Sequence, residues 1–186
     1  MQVLAPILLS PHDPDTVYFG AQSLFRSKDR GDTWEKLTAD QSYNDKAKLG
    51  DIPDQLIITI SESPKRKGLV YTGTDDGRLW YSTNLGGKWT EASDPNLPGY
   101  WISRVAIDPI DAAVAYVTYS GYRAGVDTAD VRRTGDGGAP GAEIRRTHPA
   151  ATAGYEASEH LGQLDRVAVG CLFYDAYPAR VAARIQ

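Results

Sequence analysis

Apolar and β-branched positions come in short runs that never reach helical length, and turn residues punctuate them. The middle of the chain shows this best. Leu56 to Ile60 is one run, Leu69 to Gly73 a second, Arg78 to Ser82 a third, and Trp89 to Glu91 a short fourth. Runs of this length and composition read as strands. Pro64 to Gly68 closes the first connection, Asp75-Asp76-Gly77 suits a tight hairpin turn, and Ser82 to Lys88 makes the third. An earlier block has the same plan, with strands at 7–10, 16–21, 24–27 and 34–37. A later one supplies 102–108, 113–119 and about 131–134, and then loses its fourth strand.

The blocks are copies of one another. Ser10-Pro11, Ser63-Pro64 and Asp108-Pro109 each precede a tyrosine (Tyr18, Tyr71, Tyr116) that follows the proline by seven residues. The third turn is Ser27-Lys28-Asp29-Arg30-Gly31-Asp32-Thr33-Trp34 in block one and Ser82-Thr83-Asn84-Leu85-Gly86-Gly87-Lys88-Trp89 in block two. In block three it begins at Thr134-Gly135-Asp136-Gly137-Gly138 and breaks off. It follows the tyrosine after nine, eleven and eighteen residues, so insertions fall in one connection. A period near about fifty residues with several short strands predicts an all-β partial β-propeller. Two four-stranded antiparallel blades (about 1–38 and 55–93) precede part of a third (101–138), and an irregular tail covers 139–186.

The box has a local physical logic. Hydroxyls and carboxylates satisfy the N–H groups that a turn leaves unpaired, which accounts for Ser27 and Asp29. Gly31 meets a need for positive φ, Thr33 completes the turn, and Trp34 opens the next strand with a side chain to bury against the blade. In the second copy Ser82, Asn84, Gly86 and Trp89 fill the same places, and in the third Thr134, Asp136 and Gly138 do.

These residues fit an S-x-D-x-G-x-T-W pattern, and with the flanking signals the stretch from Ile7 to Gly138 resembles the Asp-box, or BNR-repeat, propellers. That family includes sortilin-type proteins and bacterial BNR-repeat glycosyl hydrolases. The resemblance implies that the boxes lie on peripheral hairpins away from the binding face. It also implies a closed ring with more blades than this chain supplies, so the remaining blades of a larger propeller are expected partners. A secreted or periplasmic parent is what it implies for compartment.

Past Gly138 the chain changes character. Residues 139–186 hold eleven alanines but none of the seven lysines or four tryptophans. Codons for Ala139-Pro140-Gly141 have the form GCN-CCN-GGN, which in a shifted frame can read ACC-TGG, or Thr-Trp, the pair that the third box lacks. One expectation is therefore that the tail is translated out of frame; the other is a genuine divergent segment.

Composition narrows the function. A net charge of −4 and no long basic run give no footprint for nucleic acid or for a membrane surface. The apolar start, interrupted by Pro6 and Pro11, reads as a strand and not as a signal peptide. A lone Cys171 rules out an internal disulfide. No zinc, calcium or phosphate-loop spacing occurs, so no cofactor or metal is expected.

A glycosidase needs two carboxylates about 5–9.5 Å apart. Asp51, Asp54, Glu62, Asp75, Asp76, Asp94, Asp108 and Asp111 lie in loops or at strand ends, where solvation or capping is the simpler role. The Arg-Ile-Pro segment of sialidases is absent, and His12 reads as a solvated turn residue. Trp80 and Tyr81 alternate along a strand, which suggests one packed between blades and one facing out. Tyr100, Trp101, Tyr122 and Arg123 are the candidate exposed binding residues, for a glycan or a protein ligand. Two readings follow: a non-catalytic binding scaffold, or a fragment of a glycoside hydrolase.

Overall fold

The computed structural model describes residues 5–45, 55–85, 87–94, 96–97, 99–121, 129–135 and 145–146. Among these, every regular element is a strand. Three antiparallel four-stranded sheets follow in chain order. Blade 1 comprises β1 (Ile7–Leu9), β2 (Val17–Gly20), β3 (Leu24–Ser27) and β4 (Glu35–Lys36). Blade 2 comprises β5 (Ile57–Glu62), β6 (Val70–Thr74), β7 (Leu79–Ser82) and β8 (Thr90–Glu91). Blade 3 comprises β9 (Trp101–Ile107), β10 (Ala115–Ser120), β11 (Ala129–Thr134) and β12 (Arg145–Arg146). This is a partial β-propeller.

The fourth strand of blade 3 corrects the sequence reading. Arg145–Arg146 pairs with Arg132 and Arg133, although no box signal announces it. A ladder edge can be satisfied by any extended backbone, so β12 carries no signature of its own. The rest of the tail lies outside the described residues, as do Gly86, Tyr122, Arg123, Asp136 and Gly138.

The core sits between blades. Alternation along each strand sends one set of side chains forward and the other back. Tyr18, Leu24, Ile57 and Val70 form the first interface, supported by Leu8, Leu37, Ile60 and Trp89. Tyr71, Leu79 and Tyr81 meet Ile102, Val105, Val117 and Tyr119 in the second. Each fully buried Leu or Ile here contributes about 1.5–3 kcal/mol. Trp80 and Tyr81 both pack at interfaces, on opposite faces of β7, because blade 2 is covered on both sides. Trp80 Nε1 reaches back to the Gln41 carbonyl at 2.9 Å, and Tyr81 is buried toward blade 3.

A repeated glycine permits this stacking. Gly20 and Gly73 stand two residues after Tyr18 and Tyr71. A Cβ on Gly20 would lie 2.9 Å from Ile57 Cγ2, and one on Gly73 would lie 2.5 Å from Ile102 Cγ2. Ile57 and Ile102 occupy matching positions of successive blades and are fully buried.

Polar groups also cross the first interface. Ser10 Oγ donates to Glu62 Oε2 at 2.7 Å. His12 is no free turn residue: its Nε2 lies 2.7 Å from the Ser63 carbonyl. That contact requires the proton on Nε2.

Candidate functional site

The box between β3 and β4 is a closed hydrogen-bonded turn. Ser27 Oγ donates to Asp29 at 2.6 Å and accepts from Gly31 N at 2.7 Å. Asp29 in turn accepts from Thr33 N at 2.8 Å and from Thr33 Oγ1 at 2.5 Å. The Ser27 and Thr33 donors hold the Asp29 carboxyl down at about 2. Arg30 and Gly31 both have positive φ, 60° and 107°, so the turn needs two left-handed residues where the sequence suggested one. In the second box Asn84 Oδ1 accepts from Gly87 N at 3.2 Å and Lys88 N at 3.4 Å. Those longer bonds mark a looser copy, and Leu85 takes Arg30's left-handed place with φ 47°. In these two copies the described anchoring side chains, Ser27, Asp29, Thr33, Ser82 and Asn84, are hydrogen-bonded within their own turns. Thr134, which opens the third copy, is buried.

Trp34 differs from expectation. It is 45% exposed, with Nε1 donating to the Gly31 carbonyl at 2.9 Å and its ring edge-on to Phe19 at 6.0 Å. Its counterpart Trp89 packs into the interface with blade 1. The difference is positional, since Trp34 faces the side of blade 1 that no described residue covers.

The opposite ends of the blades carry the connections 37–45, 75–78 and, as far as described, 92–94, 96–97 and 99–100, and here a second constellation forms. Gly77 (φ 95°) closes the β6–β7 turn. That turn lies so close to the next connection that a Cβ on Gly77 would sit 2.8 Å from the Tyr100 carbonyl. Asp75 Oδ1 accepts from Leu56 N at 2.8 Å, and Asp76 Oδ2 accepts from Tyr43 N at 2.7 Å. Both carboxylates therefore fix loops.

Arg78 is the hub. It donates through Nε and Nη2 to Glu91 at 3.0 and 2.7 Å and through Nη1 to the Ser42 carbonyl at 2.7 Å. Its guanidinium lies 4.5 Å from the Trp80 ring centre and 5.1 Å from that of Tyr43. Hydrogen bonding to Arg78 lowers the Glu91 carboxyl below its ordinary value. Tyr43 is left with a half-exposed ring (48%) on a pinned backbone and a cationic backing. Partial burial, with Glu91 nearby, raises its hydroxyl.

A matching arrangement joins blades 2 and 3. Arg132 Nε lies 2.8 Å from Asp130 Oδ1, and its Nη2 lies 3.3 Å from Asp94 Oδ2. All three side chains are largely buried. Arg132 holds the strand position of Trp80, so blades 2 and 3 both use that position to grip the preceding connection. Asp108 and Asp111 cap their own turn, accepting from Ile110 N at 2.7 Å and Ala113 N at 2.9 Å.

Of the predicted binding residues, Tyr100 and Trp101 are described and partly buried. Tyr100 leans on the second interface core, and Trp101 opens β9. Tyr43 was not singled out by the sequence. Its signal is positional, nine residues after the box tryptophan in an otherwise polar connection. Among the described residues no group of three or more His, Cys, Asp or Glu could hold a metal.

Comparison with known proteins supports the same architecture. No family model matches the chain. It is 25% identical over 182 residues to a protein named xyloglucanase from Paenibacillus sp, covering 83% of this chain and 17% of that one. It is similar in structure to YCF48 from Cyanidioschyzon merolae, with TM-score 0.51 and 17% identity over 78% of this chain and 42% of that one. The Niastella koreensis GH74 enzyme gives TM-score 0.48 and 16% identity, over 75% of this chain and 17% of that one. The chain thus spans less than a fifth of its curated relative and under half of the YCF48 chain.

Proposed function

We propose that this chain is a run of blades from a larger Asp-box propeller, and that it binds a polysaccharide on the connection face without hydrolysing it. One observation carries the reading. Tyr43 presents a half-exposed ring that Arg78 and Asp76 hold in place, and sugars stack on rigid aromatic faces at little entropic cost. Tyr100 borders the same turn through its backbone and packs against the second interface core. The described carboxylates near that face, Asp75, Asp76, Glu91, Asp94 and Asp130, are engaged in loop anchoring and ion pairs. None of these five is left poised for acid–base work.

Xyloglucan is the first polysaccharide to test, given the sequence similarity to a protein named xyloglucanase. Tyr43→Ala should weaken binding of xyloglucan by about tenfold in calorimetry, the equivalent of about 1.4 kcal/mol, with the fold intact by circular dichroism. Equal affinity of variant and parent, or no binding at all, would sink the proposal.

The same similarity favours a second reading, a segment of a glycoside hydrolase whose catalytic pair lies on other blades. Hydrolysis by a longer parent protein, abolished by one carboxylate substitution, would establish it. In either case the 186-residue chain itself should show no turnover.

A further inference from the structure

At the end of the blades opposite Tyr43, each box packs against the first turn of its own blade. Arg30 N donates to the Asp15 carbonyl at 3.0 Å in blade 1, and Leu85 N donates to the Gly68 carbonyl at 3.1 Å in blade 2. The two turn-and-box pairs match position by position in the repeat, so their charges compare directly. Blade 1 carries Asp13, Asp15, Asp29 and Asp32, with Lys28 paired to Glu35 at 3.5 Å and Arg30 to Asp15 at 2.6 Å. Blade 2 has Arg66, Gly68, Asn84 and Gly87 at the four aspartate positions, and Lys65, Lys67 and Lys88 where blade 1 has His12, Pro14 and Thr33. None of the carboxylates is kept.

Lys65, Arg66, Lys67 and Lys88 are all exposed, on a fixed backbone. Ser63 Oγ accepts from Lys65 N at 3.3 Å and from Arg66 N at 3.1 Å, and Asn84 Oδ1 accepts from Lys88 N at 3.4 Å. Gly68 has φ 86°, and a Cβ there would lie 3.4 Å from the Asn84 backbone, so turn and box are in close contact. Glu62, the acid nearest to the turn in sequence, is buried and faces inward, accepting from Ser10 Oγ at 2.7 Å and from Gly68 N at 3.4 Å. Among the described residues Lys65, Lys67 and Lys88 form no salt bridge, in contrast to Lys28 and Arg30.

This basic patch is one blade wide and bordered by acid. Lys67 is close enough to Asp13 to help lower its carboxyl, after the larger effects of the Asp15 N–H and the Thr16 hydroxyl. Blade 1's acidic end therefore lies along one side. In the next blade the corresponding turn carries Asp108 and Asp111 and no base. A long uniform polyanion, whether nucleic acid, polyuronate or anionic membrane, would extend past the patch onto these like-charged borders, which is penalised. A short run of carboxylates fits inside them.

We infer that the β5–β6 turn and the box of blade 2 form a docking surface for a short acidic polypeptide segment, whose carboxylates pair with Lys65, Lys67 and Lys88 while Arg66 adds to the positive field. Pairing between exposed groups favours specificity and fast association over raw affinity. The surface lies at the other end of the blades from Tyr43 and does not depend on the glycan reading.

The test uses the full chain and a fluorescein-labelled hexapeptide of alternating Glu and Asp, followed by fluorescence anisotropy. The peptide should bind at about 50 mM salt and lose at least about fivefold in affinity by about 200 mM. Lys65→Glu with Lys67→Glu should weaken binding by at least about tenfold, and Lys88→Thr, which restores the blade 1 residue, by about threefold. Lys28→Glu with Lys36→Glu makes the same change in net charge on blade 1 and should leave the affinity within about twofold. These positions are exposed, so the urea midpoint of each variant should match the parent. The Lys65→Glu, Lys67→Glu chain should also gain affinity for a lysine hexapeptide.

No peptide binding at low salt, or equal losses from the two double reversals, would overturn the inference. So would tighter binding of a single-stranded oligonucleotide, of polygalacturonate or of equimolar phosphatidylserine–phosphatidylcholine vesicles that Lys65→Glu with Lys67→Glu abolishes, because the acidic borders would then not limit the patch. Self-association of the parent chain that the same pair of substitutions breaks would assign the surface to the acidic end of a second copy instead.

Discussion

Replacing Gly73 with alanine places one methyl group where successive blades come closest. The new Cβ would stand 2.5 Å from Ile102 Cγ2, 2.9 Å from Thr59 Cγ2 and 3.1 Å from Ile102 Cβ. Ile102 is fully buried and β-branched, so it has no free rotamer into which to retreat. Overpacking of this kind costs about 1–3 kcal/mol, and the upper part of that range applies where the obstructing atoms sit next to the backbone. Gly73 does not have positive φ, so alanine returns about 0.4–1 kcal/mol by restricting the unfolded chain. The net loss should be about 1–2 kcal/mol. Gly20→Ala should cost less, since its nearest contacts are 2.8 Å to Pro6 Cγ and 2.9 Å to Ile57 Cγ2.

The assay is urea unfolding followed by circular dichroism on Gly73→Ala, Ile102→Ala and the double variant. Ile102→Ala alone should cost about 2–5 kcal/mol through the cavity it leaves. In the double variant the nearest clash partner is gone and only Thr59 Cγ2 remains, so the two losses should fall short of their sum by about 1 kcal/mol or more. Additivity within about 0.5 kcal/mol would refute the idea that Gly73 exists to seat Ile102. Blade 3 bears on the same logic. It has Thr118 at this repeat position, and its ladder shifts register between Thr118 and Tyr119.

Three further outcomes can be checked. Arg132→Met leaves Asp94 and Asp130 buried without their shared cation and should cost about 3–5 kcal/mol in the same urea assay; a loss below about 1 kcal/mol would mean the ion pairs are incidental. Asp29 has its folded value depressed to about 2 from an ordinary 3.8, so its contribution is complete above about pH 4 and is lost as pH falls toward 2. Asp29→Asn, which cannot titrate, should flatten the acid limb of stability in that window, and an unchanged limb would count against the box as an acid-sensitive element. Finally, sequencing the locus should reveal a base missing near codon 139 and a Thr-Trp reading in the restored frame; an intact frame with no such reading would show that residues 139–186 are a genuine segment.

The chain dictated its strands and turns locally. Alternation, β-branched runs and turn residues placed all eleven expected strands within a residue or two, because each signal acts between neighbours in sequence. The turn between β3 and β4 was equally legible, since Ser27, Asp29 and Thr33 satisfy one another within seven residues. What covers each strand was not legible. Trp34 and Trp89 occupy the same place in the same motif, yet one is half exposed and the other packed, because burial depends on a neighbouring blade some fifty residues away in sequence. Tyr43 gained its pinned, half-exposed position only when Arg78 and Asp76, from the next blade, closed beneath it. Local chemistry fixed the blade, whereas stacking, which joins residues that share no sequence neighbourhood, decided which of its faces is core and which is surface.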